Sequence, residues 1–331
     1  MEYLWFLLGS LLAAVVLDLT LGDPPNPFHP VVCMGSVIRA LAPRKATWTA
    51  SAPSVPGYKE DAPGRWDWAA FLRGMVITLA GAAFFALPLW LAQAWLLAHS
   101  LPLALLLGAV GLKAVVAYRG LERAARQVEM ALASGDLPEA RRLLSWHLVS
   151  RDTRQLDGDR VAAATIESVA ENMTDAVVAP LFYFVLGGLP AAWAYRYVNT
   201  CDSLLGYRDS VREYLGKFPA RLDDLLNWLP ARLTGLALVA AAALVGANHR
   251  RALCTLWRQH GRTASPNAGW TMGAMAGALG VTLEKVGCYT LEGGSSPLGP
   301  PAIERALAVA RATLVVAWVA LVALVCLRRL I

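Results

Sequence analysis

The feature that most constrains this chain is a series of apolar runs long enough to cross a bilayer. About 30 Å of hydrocarbon takes roughly 20 helical residues. Residues 3–17 form one such run, slightly short and closed by Asp18, and residues 75–98 form a second. Residues 101–118 form a third, broken only by Lys113, and residues 306–327 a fourth, with Arg311 near its start. Residues 177–195 and 233–247 are weaker candidates, because the first contains Gly187-Gly188-Leu189-Pro190 and the second is short. The expectation is four spans and two doubtful ones. Composition agrees: 56% of the 331 residues are hydrophobic and 16% charged, against roughly 25% charged in soluble domains. No alternating pattern of useful strand length and no internal repeat is present. The expected fold is therefore all-α, a polytopic integral membrane protein with a single membrane-embedded domain over residues 1–331.

The first run reads as an anchor, since Met1-Glu2-Tyr3 lacks the basic start of a cleaved signal. Cys33, Cys201, Cys254, Cys288 and Cys326 are scattered without a Cys-x-x-Cys pair. That argues against a disulfide framework or a zinc site and predicts buried thiols acting as small hydrophobes. The net charge is +6, and its placement matters more than its size. Arg39, Arg44, Lys45, Lys59 and Arg65 lie in the first loop; Arg119, Arg123, Arg126, Arg141, Arg142, Arg151, Arg154 and Arg160 follow the third span. His99-Ser100, between spans two and three, has neither Lys nor Arg. The positive-inside rule puts both basic regions in the cytoplasm and the 99–100 turn outside. No aromatic-interleaved basic module accompanies the Arg excess, so nucleic acid is not an expected partner; anionic lipid and phosphate-bearing substrates are.

Residues 42–64 are rich in Pro, Ala, Ser and Gly and predict a flexible cytoplasmic segment. Apolar spacing over 121–133, a stop at Ser134-Gly135-Asp136 and Pro138 in the next first turn predict a helical hairpin over about 119–150. Further on, 166–175 reads as helix, with Glu167, Glu171 and Asp175 at i, i+4 and i+8 on one stripe. Three carboxylates in a row repel unless a cation lies against them; Mg²⁺ would serve, and a solvated acidic face is the plainer alternative. Asp202, Asp223, Asp224, Asn199 and Asn227 add carboxylates and amides. Arg232 stands at an apolar boundary, where an Arg either snorkels or forms a phosphate fork. Ser265-Pro266-Asn267 is a turn that could offer amides to an anion. There is no P-loop, no Gly-x-Gly-x-x-Gly and no His-Glu-x-x-His.

In order along the chain stand Gly22-Asp23-Pro24, His29-Pro30-Val31-x-x-Met34-Gly35, Ser150-Arg151-Asp152-Thr153 and Ile166-Glu167-Ser168-Val169-Ala170-Glu171-Asn172 with Asp175. Ala179-Pro180-Leu181-Phe182, Asn199-Thr200-x-Asp202-Ser203, Asp223-Asp224-x-x-Asn227-x-x-Pro230-Ala231-Arg232 and Ser265-Pro266-Asn267-Ala268-Gly269-Trp270 follow. The set resembles the CobD/CbiB family, the adenosylcobinamide(-phosphate) synthases, from residue 18 to about 300. It departs where Glu284-Lys285 replaces an expected glycine-containing turn. The resemblance implies ATP- and Mg²⁺-dependent amide formation between adenosylcobyric acid and (R)-1-amino-2-propanol or its O-phosphate. It also implies a prokaryotic cell (inner) membrane, a cytoplasmic active site and neighbouring membrane enzymes of nucleotide-loop assembly as partners. The roles expected on that basis are metal ligation by Glu167, Glu171 and Asp175, and metal or amine contact by Asp202, Asp223 and Asp224. Arg151, Asp152, Asn172, Asn199, Asn227, Arg232, Ser265 and Asn267 are the expected substrate and phosphate contacts, and His29 the expected proton acceptor. A non-catalytic AmpE-like membrane sensor would share the architecture. A transporter would carry Asp or Glu at mid-membrane, whereas Lys113 is the main charge within the runs.

Overall fold

The computed structural model describes residues 1–22, 29–43, 66–207 and 212–327. Asp23, Pro24 and nearly all of the segment expected to be flexible, 42–64, lie outside the described residues. The chain runs through helices α1 (Glu2–Leu21), α2 (Pro30–Leu41), α3 (Trp68–His99), α4 (Leu101–Lys113), α5 (Tyr118–Ala133), α6 (Leu137–His147) and α7 (Gly158–Asn172). A π-helical turn, Met173–Val178, joins α7 to α8 (Ala179–Leu205). Then come α9 (Lys217–Leu226), α10 (Trp228–Leu244), α11 (His249–Gln259), α12 (Ala268–Leu279), strands β1 (Thr282–Lys285) and β2 (Tyr289–Glu292), and α13 (Pro300–Leu327).

Among the described residues, five helical stretches are long and apolar enough to cross a membrane: Glu2–Leu21, Trp68–His99, Leu101–Ala133, Gly158–Leu205 and Pro300–Leu327. The pair α9 and α10, bent by 48° at Asn227, makes a sixth candidate. This is the all-α polytopic fold that the apolar runs predict, with two differences. The third run does not continue as helix to residue 118; α4 stops at Lys113. There Lys113 Nζ pairs with Asp18 at 2.8 Å, both buried, and the Arg119 backbone N–H donates to Asp18 Oδ2 at 3.0 Å. A buried ion pair needs several hydrogen bonds to offset desolvation, and the helix break supplies one. The pair ties the end of α1 to the end of α4.

The second difference is a short hairpin. β1 and β2 pair antiparallel, with Lys285 opposite Tyr289, and Gly287 turns at φ 74°. The glycine turn thus sits two residues after Lys285. Each strand is only four residues long, too short for a visible alternation.

The doubtful run at 177–195 is resolved by the chain doubling back. Gly187 and Gly188 leave helical geometry, Gly188 at φ 71° and ψ −161°. Only glycine adopts this backbone cheaply. The rings of Tyr183 and Tyr195 stack with centroids 5.0 Å apart; in a continuous helix twelve residues would separate them by about 18 Å. The return limb runs along α3: Leu189 N–H donates to Gln93 Oε1 at 2.8 Å, and Tyr197 Oη donates to the Ile77 carbonyl at 3.3 Å. Gln93 satisfies an amide that the break would leave orphaned. The residues before Gly187 and those after Tyr195 therefore share one side, as one site drawing on both requires.

α7 is the hub. Every residue from Val161 to Ala170 is buried, with α5, α6, α12 and α13 packed round it. Asp157 caps it, Oδ1 accepting from the Arg160 N–H at 2.8 Å. The expected hairpin forms from α5 and α6, Asp136 capping α6 at Glu139 N–H, 3.0 Å. The thiols depart from expectation. Only Cys201 is buried, while Cys33, Cys254, Cys288 and Cys326 are exposed and unbridged, because each falls on an outward helix or turn position.

Candidate active site

Two cavities adjoin at Glu171. The larger, ≈ 250 Å³, is lined by Glu171, Thr174 and Asp175 of the α7–π turn, Asp202 of α8, Asp223, Asp224 and Asn227 of the α9–α10 bend, and Ser265, Asn267 and Thr271 at the start of α12. The smaller, ≈ 170 Å³, is lined by Ser150, Arg151, Glu167, Ser168, Glu171, Lys285 and Tyr289.

The π turn makes the first wall. Widening the helix by one residue per turn frees carbonyls from the regular ladder, and such turns recur at functional sites. Here the freed carbonyls find new donors. Ala117 N–H donates to the Ala176 carbonyl at 3.0 Å. Arg196 Nη1 donates to the Asp175 carbonyl at 3.0 Å, and Tyr195 Oη lies 3.3 Å from the same oxygen. The doubled-back limb of α8 is thereby fastened to the turn that carries Asp175.

Asp223 is held by two amides: Asn199 Nδ2 donates to Oδ1 at 3.2 Å and Asn227 Nδ2 to Oδ2 at 3.0 Å. Asn227 Oδ1 in turn accepts from Tyr195 Oη at 2.9 Å. Asp224 is fixed by the α12 side, Asn267 Nδ2 donating to its carbonyl at 2.8 Å and Ser265 Oγ to its Oδ1 at 3.4 Å. Sequence segments as distant as 171 and 271 thus meet round one cavity.

Its charge is the salient property. Glu171, Asp175, Asp202, Asp223 and Asp224 line it, and among the described residues no Lys or Arg does, although Arg221 reaches Asp224 Oδ2 at 3.6 Å from outside. Two like charges 4 Å apart repel by about 4 kcal/mol at an effective dielectric of 20, so five carboxylates call for cationic ligands or bound protons. All donors are oxygens, which suits a hard ion such as Mg²⁺. Among the described residues no three Asp, Glu, His or Cys side chains converge into a ready-made metal site. The stripe of Glu167, Glu171 and Asp175 is accordingly not a single cage: Glu167 faces one cavity, Asp175 the other, and Glu171, whose side chain is exposed, both. Mg²⁺ retains waters and takes one or two carboxylates plus substrate oxygens, so the residues fit it as an open site.

Other expected contacts sit differently. Arg151 Nη2 pairs with Glu167 Oε2 at 3.3 Å. Asp152 is exposed and paired with Arg154 at 2.7 Å; that guanidinium pulls its carboxyl down to about 2, and it lines neither cavity. Asn172 Nδ2 bonds back to the Ser168 carbonyl at 2.9 Å, inside its own helix. Arg232 lies between the rings of Trp228 and Trp270, 4.2 and 4.7 Å from their centroids, a stacked cation that lines neither cavity. It touches the site through Asn267 Oδ1, 3.4 Å away. His29 caps α2, its Nδ1 accepting from the Val31 N–H at 3.2 Å, and lines neither cavity. Sequence reasoning missed Tyr195 and Arg196, whose only signal was a charge closing an apolar run, and Lys285 and Tyr289, whose only signal was a departure from pattern. Burial pushes the Tyr289 phenol up, with Glu167 and Glu171 adding to it.

A sequence profile of the CobD/Cbib protein family matches residues 11–326. The chain is 44% identical over 282 residues to the probable cobalamin biosynthesis protein CobD of Methanothermobacter thermautotrophicus, covering 85% of each chain. It is 41% identical over 296 residues to the cobalamin biosynthesis protein CobD of Dehalococcoides mccartyi, covering 89% of this chain and 90% of that one. It is 31% identical over 284 residues to the probable cobalamin biosynthesis protein CobD of Methanocaldococcus jannaschii, covering 86% and 88%. No solved structure matches. A profile spanning nearly the whole length, together with relatives aligned over most of both chains, makes this chain a member of the CobD/CbiB family.

Proposed function

We propose that this chain is a membrane ligase of cobalamin biosynthesis that joins adenosylcobyric acid to (R)-1-amino-2-propanol or its O-phosphate through an amide bond, at the expense of ATP. Family membership supports the role in cobalamin biosynthesis. The observation that carries the finer reading is the acid-lined cavity built where α8 doubles back. Amide formation needs an activated carboxyl carbon and an amine stripped of its extra proton. The substrate ammonium is a cation, and Asp202, Asp223 and Asp224 would hold it. Asp223, clamped by Asn199 and Asn227, is positioned to orient it and to accept the departing proton as the nitrogen attacks.

Glu171 and Asp175 would hold Mg²⁺, which supplies charge neutralisation at the phosphates during carboxyl activation. Catalysis at a transferred phosphoryl group is mostly positioning and electrostatics. The chain has no P-loop, so this neutralisation falls to metal and side chains. The loop before α7, which follows the basic α5–α6 hairpin, lines the adjoining smaller cavity, on what this reading takes as the cytoplasmic side.

The test is turnover by the purified protein with adenosylcobyric acid, Mg²⁺·ATP and each amine, followed by mass detection of the amide. Asp223→Asn should lower kcat at least hundredfold while leaving the thermal midpoint unchanged. No amide from the unaltered protein with either amine would sink the proposal and favour a sensor role.

A further inference from the structure

The two adjoining cavities differ in kind. The larger has five carboxylates and, among the described residues, no cation in its lining; the smaller brings two cations, Arg151 and Lys285, to the far side of the shared Glu171. Arg151 is already engaged, paired with Glu167 at 3.3 Å. Lys285 is not. Among the described residues its ammonium makes no ion pair or hydrogen bond, although it projects from β1 into a partly enclosed cavity. Glu167 presents a second anomaly. Its Oε1 is buried with no hydrogen bond of normal geometry, and the Tyr289 hydroxyl beside it is the donor that answers it. The Tyr289 hydroxyl lies 3.7 Å from Met272 Sδ, a weak acceptor. The cavity therefore offers an ammonium in no ion pair, attracted by Glu167 and Glu171 across the cavity, and a phenol and a carboxylate oxygen that meet in no well-formed hydrogen bond.

One ligand class suits this lining. A phosphate group carrying a hydrated Mg²⁺ has anionic oxygens for Lys285 and Tyr289, and metal-bound water as a donor to Glu167. At ≈ 170 Å³ the cavity has room for about five waters, or one small polyatomic anion, and is too small for a nucleoside or a corrin ring.

We propose that the smaller cavity is a phosphate subsite and that Lys285 is its principal cation, with Arg151 held in reserve on Glu167. This rests on the ligase reading for its placement, because only then would a phosphate lie one carboxylate away from the amine. The phosphate comes from either of two sources, the terminal phosphate of the nucleotide or a phosphate on the amino alcohol. Lys285 arrives from the β1–β2 hairpin, more than a hundred residues after Glu167 in the sequence, so the subsite forms only when hairpin and α7 are packed.

The test is equilibrium binding to purified, detergent-solubilised protein, with no turnover required. Mg²⁺·ATP, (R)-1-amino-2-propanol O-phosphate and the unphosphorylated amine are titrated into the unaltered protein, Lys285→Ala and Lys285→Arg. Lys285→Ala should weaken binding of the phosphate-bearing ligand about tenfold, leave the unphosphorylated amine unaffected, and keep the ligand-free thermal midpoint. Lys285→Arg should recover most of the loss. A loss confined to Mg²⁺·ATP assigns the subsite to the nucleotide, and one confined to the amino-alcohol phosphate assigns it to the amine. Unchanged binding of both in Lys285→Ala, or no binding of either by the unaltered protein, overturns the subsite. Amide synthesis measured separately tells whether the ligase reading survives that result.

Discussion

α3 and the stretch Gly158–Leu205 both qualify as membrane spans by length and apolar content, yet they are built for different surroundings. Only 17% of the most apolar window of α3 is buried inside the protein, against 72% for Gly158–Leu205. α3 turns Phe84, Leu87, Trp90 and Trp95 outward and runs unbroken for 32 residues. The other stretch contains a π turn, a reversal at Gly187-Gly188 and four acidic side chains that line the cavities. Apolar content says that a segment avoids water. It does not say whether lipid or protein replaces the water. Broken backbone and charges are tolerated at membrane depth only where protein encloses them, and this chain sorts its two kinds of apolar segment by that rule.

The comparison can be broken first by topology, where the effect is all or none. In a background without the native cysteines, single cysteines at Ser150 and Arg221 should label from one face of the membrane, and one at Ser100 from the other. Labelling of Ser150 and Arg221 from opposite faces would show that the stretch crosses once and does not double back. Next in size is the ion pair that fastens α1 to α4. Lys113→Met leaves Asp18 buried without its partner and should cost about 3–5 kcal/mol, read as a fall in the thermal midpoint in detergent. Adding Asp18→Asn should return part of it, and no recovery would mean that Lys113 acts through packing alone.

Smaller again is the brace between the two compared segments. Gln93→Leu orphans the Leu189 amide and should cost about 1–3 kcal/mol; a neutral outcome would show that the reversal is held by its glycines without α3. The smallest effect belongs to the outward face. Phe84→Leu, on a ring 66% exposed, should shift stability by less than about 0.5 kcal/mol. A large loss there would mean that α3 is covered by another protein surface in place of lipid.

Much of this architecture could be read from residue order. Continuous apolar runs marked the spans, and Gly187-Gly188-Leu189-Pro190 marked the weak point where α8 reverses. The αα-hairpin was visible from Ser134-Gly135-Asp136 and Pro138. Candidate site residues were visible as types: Glu171, Asp175, Asp202, Asp223 and Asp224 all line the larger cavity. Their grouping was not. Helical periodicity put Glu167, Glu171 and Asp175 on one stripe, but the π turn and the packing of α9, α12 and the hairpin divide that stripe between two cavities. Arg232 could be weighed as an anchor or a phosphate fork; its position between Trp228 and Trp270 depends on Trp270 arriving from 38 residues downstream.

Residue order alone determined that this chain enters a membrane, that it does so as helices, where its basic segments gather, and which blocks carry acids and amides. These are properties of contiguous residues, set by transfer free energy and local backbone preference. Tertiary structure alone decided which apolar run faces protein, which cation meets which carboxylate, and that Lys285 and Tyr289 join Glu167 across more than a hundred residues. Such pairings depend on how helices pack in three dimensions, and nothing local in the chain encodes the partner.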